Sequence, residues 1–281
     1  MRIKKTPNGN QYLLTNQNKW VRDFTKNSVP FKDINDTISQ QDHFIFLKNE
    51  VQNNLNKYTW IDSENVYHKN ILIVSDGFDF ENKQNLLKDL PKDVTVIGVN
   101  GSLIKWKLQK SMNYYVVNNP YEQCLKYLPK NKTNPKCIAS VRTNSNFLEN
   151  YRGTKFRYYP VNESSYSSLG EKEAIWQIDD YRNPICAAIG LAFRFGAEKI
   201  MLFCCDNSFE DERQGAKKLH NGLWEYPQQE TAHGIIDANL HWFKSQKYSN
   251  ISIGDFSSGA IYENASYIQE EQIHFFWEEG T

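Results

Sequence analysis

The sequence predicts an α/β fold, a mainly parallel sheet with helices on both faces, on three observations. Three short apolar runs, Ile71 to Val74, Val94 to Val99 and Tyr114 to Val117, each stop at a polar residue. The runs are continuous and rich in aliphatic and β-branched residues, which marks strands buried on both faces. Segments with helical spacing lie between and after them, so strands and helices alternate from residue 70 onward.

Residues 1–68 differ in character: Asn and Gln are dense, and apolar positions are sparse (Tyr12, Leu13, Leu14, Trp20, Val21, Phe24). Asp42 to Val51 fits one amphipathic helix running on towards Leu55 and Tyr58. The segment is expected to be a mostly helical N-terminal extension packed on a sheet domain at 69–281; the alternative is a partly disordered arm.

After the first strand, Glu81 to Leu90 carries Leu86, Leu87 and Leu90 at helical spacing before Pro91 stops it. Short helices are expected at Leu103–Leu108 and, just after Pro120, at Tyr121–Leu128. Cys137–Val141 and Phe156–Val161 read as a fourth and a fifth strand. Pro184 to Phe195 has Ile185, Ala188, Ile189, Ala192 and Phe193 at three-four spacing, and Gly196 ends it. Lys199–Cys205 is a buried strand with Asp206 at its end, Ile235–Lys244 a helix, and Ile251–Gly254 a last strand. This succession gives a Rossmann-like sheet.

Balanced charge, with 33 basic and 33 acidic residues, gives no general electrostatic reason for nucleic-acid binding. The longest apolar run, from Ile185, is too short to span a bilayer, and the N-terminus lacks the apolar core of a signal peptide. Five cysteines without regular spacing suit a reducing compartment, and a cytoplasmic protein is expected. The residues set no oligomeric state.

Polar residues at consecutive strand ends on one edge of a parallel sheet are where an open α/β fold builds its ligand crevice. Here they are Ser75-Asp76-Gly77, Asn100-Gly101-Ser102 and Asn118-Asn119-Pro120. Asn100 and Asn119 offer a donor and an acceptor to a base or ribose, and Asp76-Gly77 is either a backbone approach for a nucleotide or an ordinary capped turn. Neither a dinucleotide fingerprint nor a P-loop is present. Asp76, Asp79 and Glu81 form an acidic cluster that either holds Mg²⁺ against a triphosphate or is plain surface charge at a helix start. His233, before a helix, is a candidate proton acceptor or a plain cap, and Asp237 lies one turn on. Cys204-Cys205 lack metal-ligand spacing and read as buried thiols.

Taken together, these stretches resemble bacterial lipooligosaccharide sialyltransferases and the related motility-accessory-factor and archaeal hydroxymethylpterin-pyrophosphokinase-like domains. Val74 to Asp79 stands where the sialyltransferases have Gly-Asn-Gly-Pro-Ser, and Leu90 to Asn100 is similar to their Leu-Pro-Asn-Asp run into Cys-Asn. Val117 to Pro120 with Glu122-Gln123 resembles their Tyr-Asn-Pro and Glu-Gln. Phe195 to Asp206 is similar to their Leu-Gly-Tyr-Lys-Glu-Ile-Tyr-Leu and closing Asp, and Ala232-His233-Gly234 through Phe243 to the segment with their catalytic His. Asn183-Pro184-Ile185 replaces their Thr-Ser-Gly, and Asp76 a neutral Asn.

The resemblance, over roughly residues 69–260, implies a nucleotide-sugar-dependent glycosyltransferase of glycan biosynthesis that binds its donor without metal and needs no cofactor. The implied nucleotide-binding set is Ser75, Asp76, Gly77, Asn100, Asn119, Asn183, Asp206 and Ser258, with His233 and Asp237 as the catalytic pair. Its partners would be a nucleotide-activated sugar and a glycan or protein acceptor. The alternatives are a Mg²⁺-dependent pyrophosphokinase acting on a pterin-type hydroxyl, with Asp76, Asp79 and Glu81 as ligands, or a non-catalytic nucleotide-binding or interaction protein.

Overall fold

The structure, a computed structural model, describes residues 50, 53–54, 57–61, 66–129, 134–160, 178, 180, 183–206, 234–245, 251–257 and 262–278 in backbone and side chain. It gives the backbone alone for Ile3–Lys5, Gln11–Leu14, Trp20–Arg22, Gln177, Lys217–Lys218, Trp224–Glu225 and 227–233.

Among the described residues, ten strands make one all-parallel sheet. In chain order they are β1 (Thr59–Trp60), β2 (Asn70–Val74), β3 (Val94–Val99), β4 (Tyr114–Val117), β5 (Lys136–Ser140), β6 (Lys155–Pro160), β7 (Gln177–Ile178), β8 (Lys199–Phe203), β9 (Ser252–Phe256) and β10 (Ser266–Tyr267). Their order across the sheet is β7-β6-β5-β4-β3-β2-β8-β9-β10, with β1 on β6. Every residue of β2, β3 and β4 is buried, as the unbroken apolar runs require for strands covered on both faces.

Side chains alternate between two cores. Ile71, Ile73, Ile97, Val99, Ile200 and Leu202 face α4 (Pro184–Arg194) and α5 (Pro227–Ser245), whose Ile236, Leu240 and Phe243 complete that layer. Leu72, Val74, Val96, Met201 and Phe203 face the short helices α1 (Phe80–Lys83) and 3-10 Gln84–Leu87, together with Ile268, Ile273 and Trp277. Further along that face Tyr115, Val117 and Ala139 pack on Phe147 and Tyr151, at and just beyond α3 (Ser145–Asn150).

Several elements differ from expectation. Tyr121–Leu128 contains a 3-10 helix at Glu122–Tyr127, and the helix expected at Leu103–Leu108 is α2 (Ser102–Lys105). α5 begins eight residues earlier than its apolar periodicity announces. Strand β9 runs on through Asp255 and Phe256; its Gly254 is kept small by Ile268 and Phe276, which would stand 2.8 and 2.9 Å from a Cβ there.

Of residues 1–68, the described part includes three short antiparallel strands, Ile3–Lys5, Gln11–Leu14 and Trp20–Arg22, and helical positions at Glu50 and Asn53–Asn54. The rest of the expected helix over 42–58 lies largely outside the described residues. Asn54 donates from Nδ2 to Val141 O at 3.0 Å and Thr143 O at 2.6 Å, and Glu50 accepts from Ser145 N at 2.8 Å. The end of the extension thus fastens the turn that follows β5.

Candidate functional site

The strand order reverses between β2 and β8. From β2 the chain steps through β3, β4, β5 and β6 to one side, then α4 carries it back to lay β8 and β9 on the other. In an open parallel sheet, the carboxyl ends of the strands at such a reversal diverge and leave a crevice. Ser75, Asp76 and Gly77 follow β2 on one wall; Cys204, Cys205 and Asp206 follow β8 on the other; Asn100 follows β3 and Ser257 follows β9.

Backbone hydrogen bonds continue the β2–β8 pairing past the strand ends. Ser75 N donates to Phe203 O and Gly77 N to Cys204 O, both at 3.1 Å, and Phe78 N donates to Asp206 Oδ1 at 3.0 Å. A Cβ on Gly77 would stand 2.7 Å from Asp206 Oδ1 and inside contact with Cys204 O, so this crossing admits glycine alone without a backbone shift. Cys205 N donates to Ser257 Oγ at 3.2 Å, which ties β9 into the same floor.

Three non-glycine residues among those described have left-handed backbone, Asp79 (φ 57°), Asn100 (φ 53°) and Cys204 (φ 50°), and all follow strand ends at this edge. Asn tolerates that conformation; for Cys it is strained and has to be held by its surroundings. Cys204 is held by its N–H on Phe256 O at 2.9 Å and by its carbonyl under Gly77.

Asn100 places Nδ2 3.5 Å from Ser75 Oγ, and its carbonyl accepts from Tyr115 OH at 3.0 Å. Asp76, with a side chain 23% exposed, has Oδ2 3.7 Å from the Lys105 ammonium and lies against Gly101, where a Cβ would overlap that oxygen. Asn119 accepts from Tyr121 N at 2.9 Å and so shapes its own turn. Asn183 caps α4, accepting from Ile185 N at 2.8 Å, and donates from its own N to Asp180 O at 2.6 Å.

A polar network at the same edge escaped the sequence reading. Arg142 donates from Nη2 to both oxygens of Asp180 and from Nε to Asn118 O, while Tyr158 OH and Asn118 Nδ2 donate to Asp180 Oδ2 at 2.7 and 3.3 Å. All four side chains are buried. The network joins the end of β4, beside Asn119, to the segment capped by Asn183. The available signal was the position of Arg142, two residues past the end of β5.

Asp206 is buried beside a second buried carboxyl, Asp255. Among the described residues the oxygens of Asp255 make no well-formed hydrogen bond, and burial pushes its pKa up to about 7, with the Ser257 hydroxyl and the Tyr262 backbone opposing and the Asp206 charge adding to the rise.

Asp76, Asp79 and Glu81 do not gather around one point among the described residues: Asp79 accepts from Asn82 Nδ2 at 2.6 Å, and Glu81 pairs with Lys107 at 2.6 Å. Asp237 has both carboxylate oxygens on Asn264, from its N at 2.9 Å and its Nδ2 at 3.0 Å, so it fixes the turn before β10. Position 233 lies on α5, and its side chain, like Ser258, lies outside the described residues. The structure brings Ser75, Asp76, Gly77, Asn100 and Asp206 together at the reversal, and sets Asn119 and Asn183 on the flank held by Arg142 and Asp180.

Among the described residues no helix is long and apolar enough to cross a membrane. No protein-family model matches the chain, and no curated protein matches it in sequence. By structure it is similar to the MAf glycosyltransferase from Magnetospirillum magneticum AMB-1, with a TM-score of 0.63 at 12% identity. The similarity covers 82% of this chain and 39% of that one, so the chain spans well under half of that protein's length. At this identity the likeness establishes a shared α/β fold.

Proposed function

We propose that the crevice at the β2–β8 reversal binds a nucleotide-activated sugar and that the protein transfers the glycosyl group to a hydroxyl of a glycan or protein acceptor. The observation that carries this reading is the meeting of Asp76, Asn100 and Asp206 at one carboxyl edge, with glycine forced at position 77. The fold shared with a glycosyltransferase supports it.

His233 is the proton acceptor in this reading. α5 ends at Ser245 and the chain re-enters the sheet at the amino end of β9, so α5 runs back towards the carboxyl edge as it is followed from its end. Position 233 lies about 18 Å up the helix from Ser245, at 1.5 Å per residue. A five-residue strand is about 16 Å long, so that stretch of helix matches the height of the sheet, which supports the reading. The imidazole takes the proton of the acceptor hydroxyl as that oxygen attacks the anomeric carbon, and the nucleotide leaves with the electron pair of the broken glycosidic bond. Of the acidic cluster required by the pyrophosphokinase alternative, two carboxylates are engaged with protein partners, which favours glycosyl transfer as the reading.

A thermal-shift panel of CMP, UMP, AMP and GMP, and of CDP and UDP, with and without Mg²⁺, tests the proposal. A metal-independent rise in Tm with a pyrimidine nucleotide is expected. A rise with ATP alone and only with Mg²⁺ would replace it with phosphoryl transfer, and no rise with any nucleotide would leave an interaction protein.

A further inference from the structure

Resting on that nucleotide reading, we infer that Asp76 is the residue that recognises the ribose of the nucleotide, accepting hydrogen bonds from its 2′- and 3′-hydroxyls, and that the phosphate lies elsewhere in the crevice.

A carboxylate has about four lone-pair sites. Among the described residues Asp76 has one polar partner, Lys105, and at 3.7 Å that contact is a charge pairing and not a hydrogen bond. The side chain is about three-quarters covered and keeps some exposure. Gly101 keeps it open, because any side chain at 101 would occupy the place of Oδ2. The ring of Tyr127 borders the same gap, its Cε1 3.3 Å from where that Cβ would stand, and the Asp76 charge adds to burial in raising the Tyr127 phenol.

The charge then selects the ligand group. A phosphate placed on Asp76 would set two anions side by side, with Asp206 a further acidic group across the crevice. Hydroxyl donors face no such repulsion, and two adjacent hydroxyls match the two oxygens of one carboxylate. Asn100, next to Ser75 and held in left-handed backbone, supplies an amide at the neighbouring strand end. A carboxylate, an amide and an aromatic ring edge around a glycine gap suit a cis-diol.

The test compares ligands first, so that it does not depend on a variant. The ribonucleoside monophosphate that shifts the wild-type protein most is titrated calorimetrically beside its 2′-deoxy and 2′,3′-dideoxy forms. Loss of one charge-assisted hydrogen bond is expected to weaken binding about tenfold, and loss of both more. Asp76→Asn should weaken the ribonucleotide and shrink the ribo-to-deoxy ratio, with Tm of the unliganded protein little changed. Equal affinity for ribo and dideoxy forms overturns this assignment and leaves nucleotide binding standing, and so does tighter binding by Asp76→Asn, which would place the phosphate there. No binding by any nucleotide overturns both readings together.

Discussion

Arg142 Nη2 stands 3.0 Å from each carboxylate oxygen of Asp180, with side-chain exposures of 3% and 1%. Removing one partner of such a buried pair strands the other charge, which costs about 3–5 kcal/mol. Arg142→Met should lower urea stability by that amount. The double variant Arg142→Met, Asp180→Leu should recover much of the loss, since no lone charge remains. A double variant as unstable as the single one would mean that the bonds to Asn118 and Tyr158 carry the effect.

Gly77→Ala is expected to cost about 1–3 kcal/mol, because the new methyl meets backbone carbonyls that cannot swing aside. The larger effect falls on ligand: the crossing of β2 and β8 must part, and nucleotide-dependent stabilisation should disappear. A variant with wild-type Tm and unchanged nucleotide response would show that the crossing is slack.

Asp255 makes stability depend on pH. The folded chain keeps this proton up to about pH 7, whereas the unfolded chain releases it near 3.8. Between those values the folded state binds more protons, so stability falls as pH rises, by at most about 4 kcal/mol. Asp255→Asn removes the titration. It should match the wild type below about pH 4 and exceed it by a margin that grows up to about pH 7, to at most about 4 kcal/mol, in urea unfolding. A constant difference across that range would assign the slope to another group.

Asn54→Ala withdraws the side-chain donor from Val141 O and Thr143 O, and an expected cost of about 1–3 kcal/mol follows from leaving buried carbonyls bare. Amide exchange should speed up locally in 141–148. Unchanged exchange there would mean that the turn stands without the strap.

His233→Ala should abolish transfer while nucleotide affinity stays within about twofold, because a general base contributes about 10²–10⁴-fold to rate and little to ground-state binding. Retained turnover would remove His233 from the chemistry.

The parallel sheet was legible because β2, β3 and β4 are uninterrupted apolar runs closed by turn residues, a pattern that burial on both faces imposes. The two-residue strands β1, β7 and β10 were not, since pairing with a distant neighbour and not local propensity makes them strands. Asp255 hid the end of β9 because a charged residue reads as exposed, and here its carboxyl is buried. Strand-end position was enough to place Asp76, Asn100 and Asp206 at one edge of the sheet. It could not find the bond between Arg142 and Asp180, which lie 38 residues apart. The place foreseen for Asp237 in a catalytic pair with His233 meets a competitor in Asn264, a partner 27 residues downstream that no local pattern announces.

The central place of β2 has a price during synthesis. Its neighbour β8 leaves the ribosome roughly 130 residues later, on the order of ten seconds at common elongation speeds. For that interval one side of Asn70–Val74 offers bare amides and carbonyls beside aliphatic side chains, the template on which nascent chains stick to one another. Slower translation past residue 75 should therefore raise the insoluble fraction, and a chaperone that shields extended apolar segments should lower it.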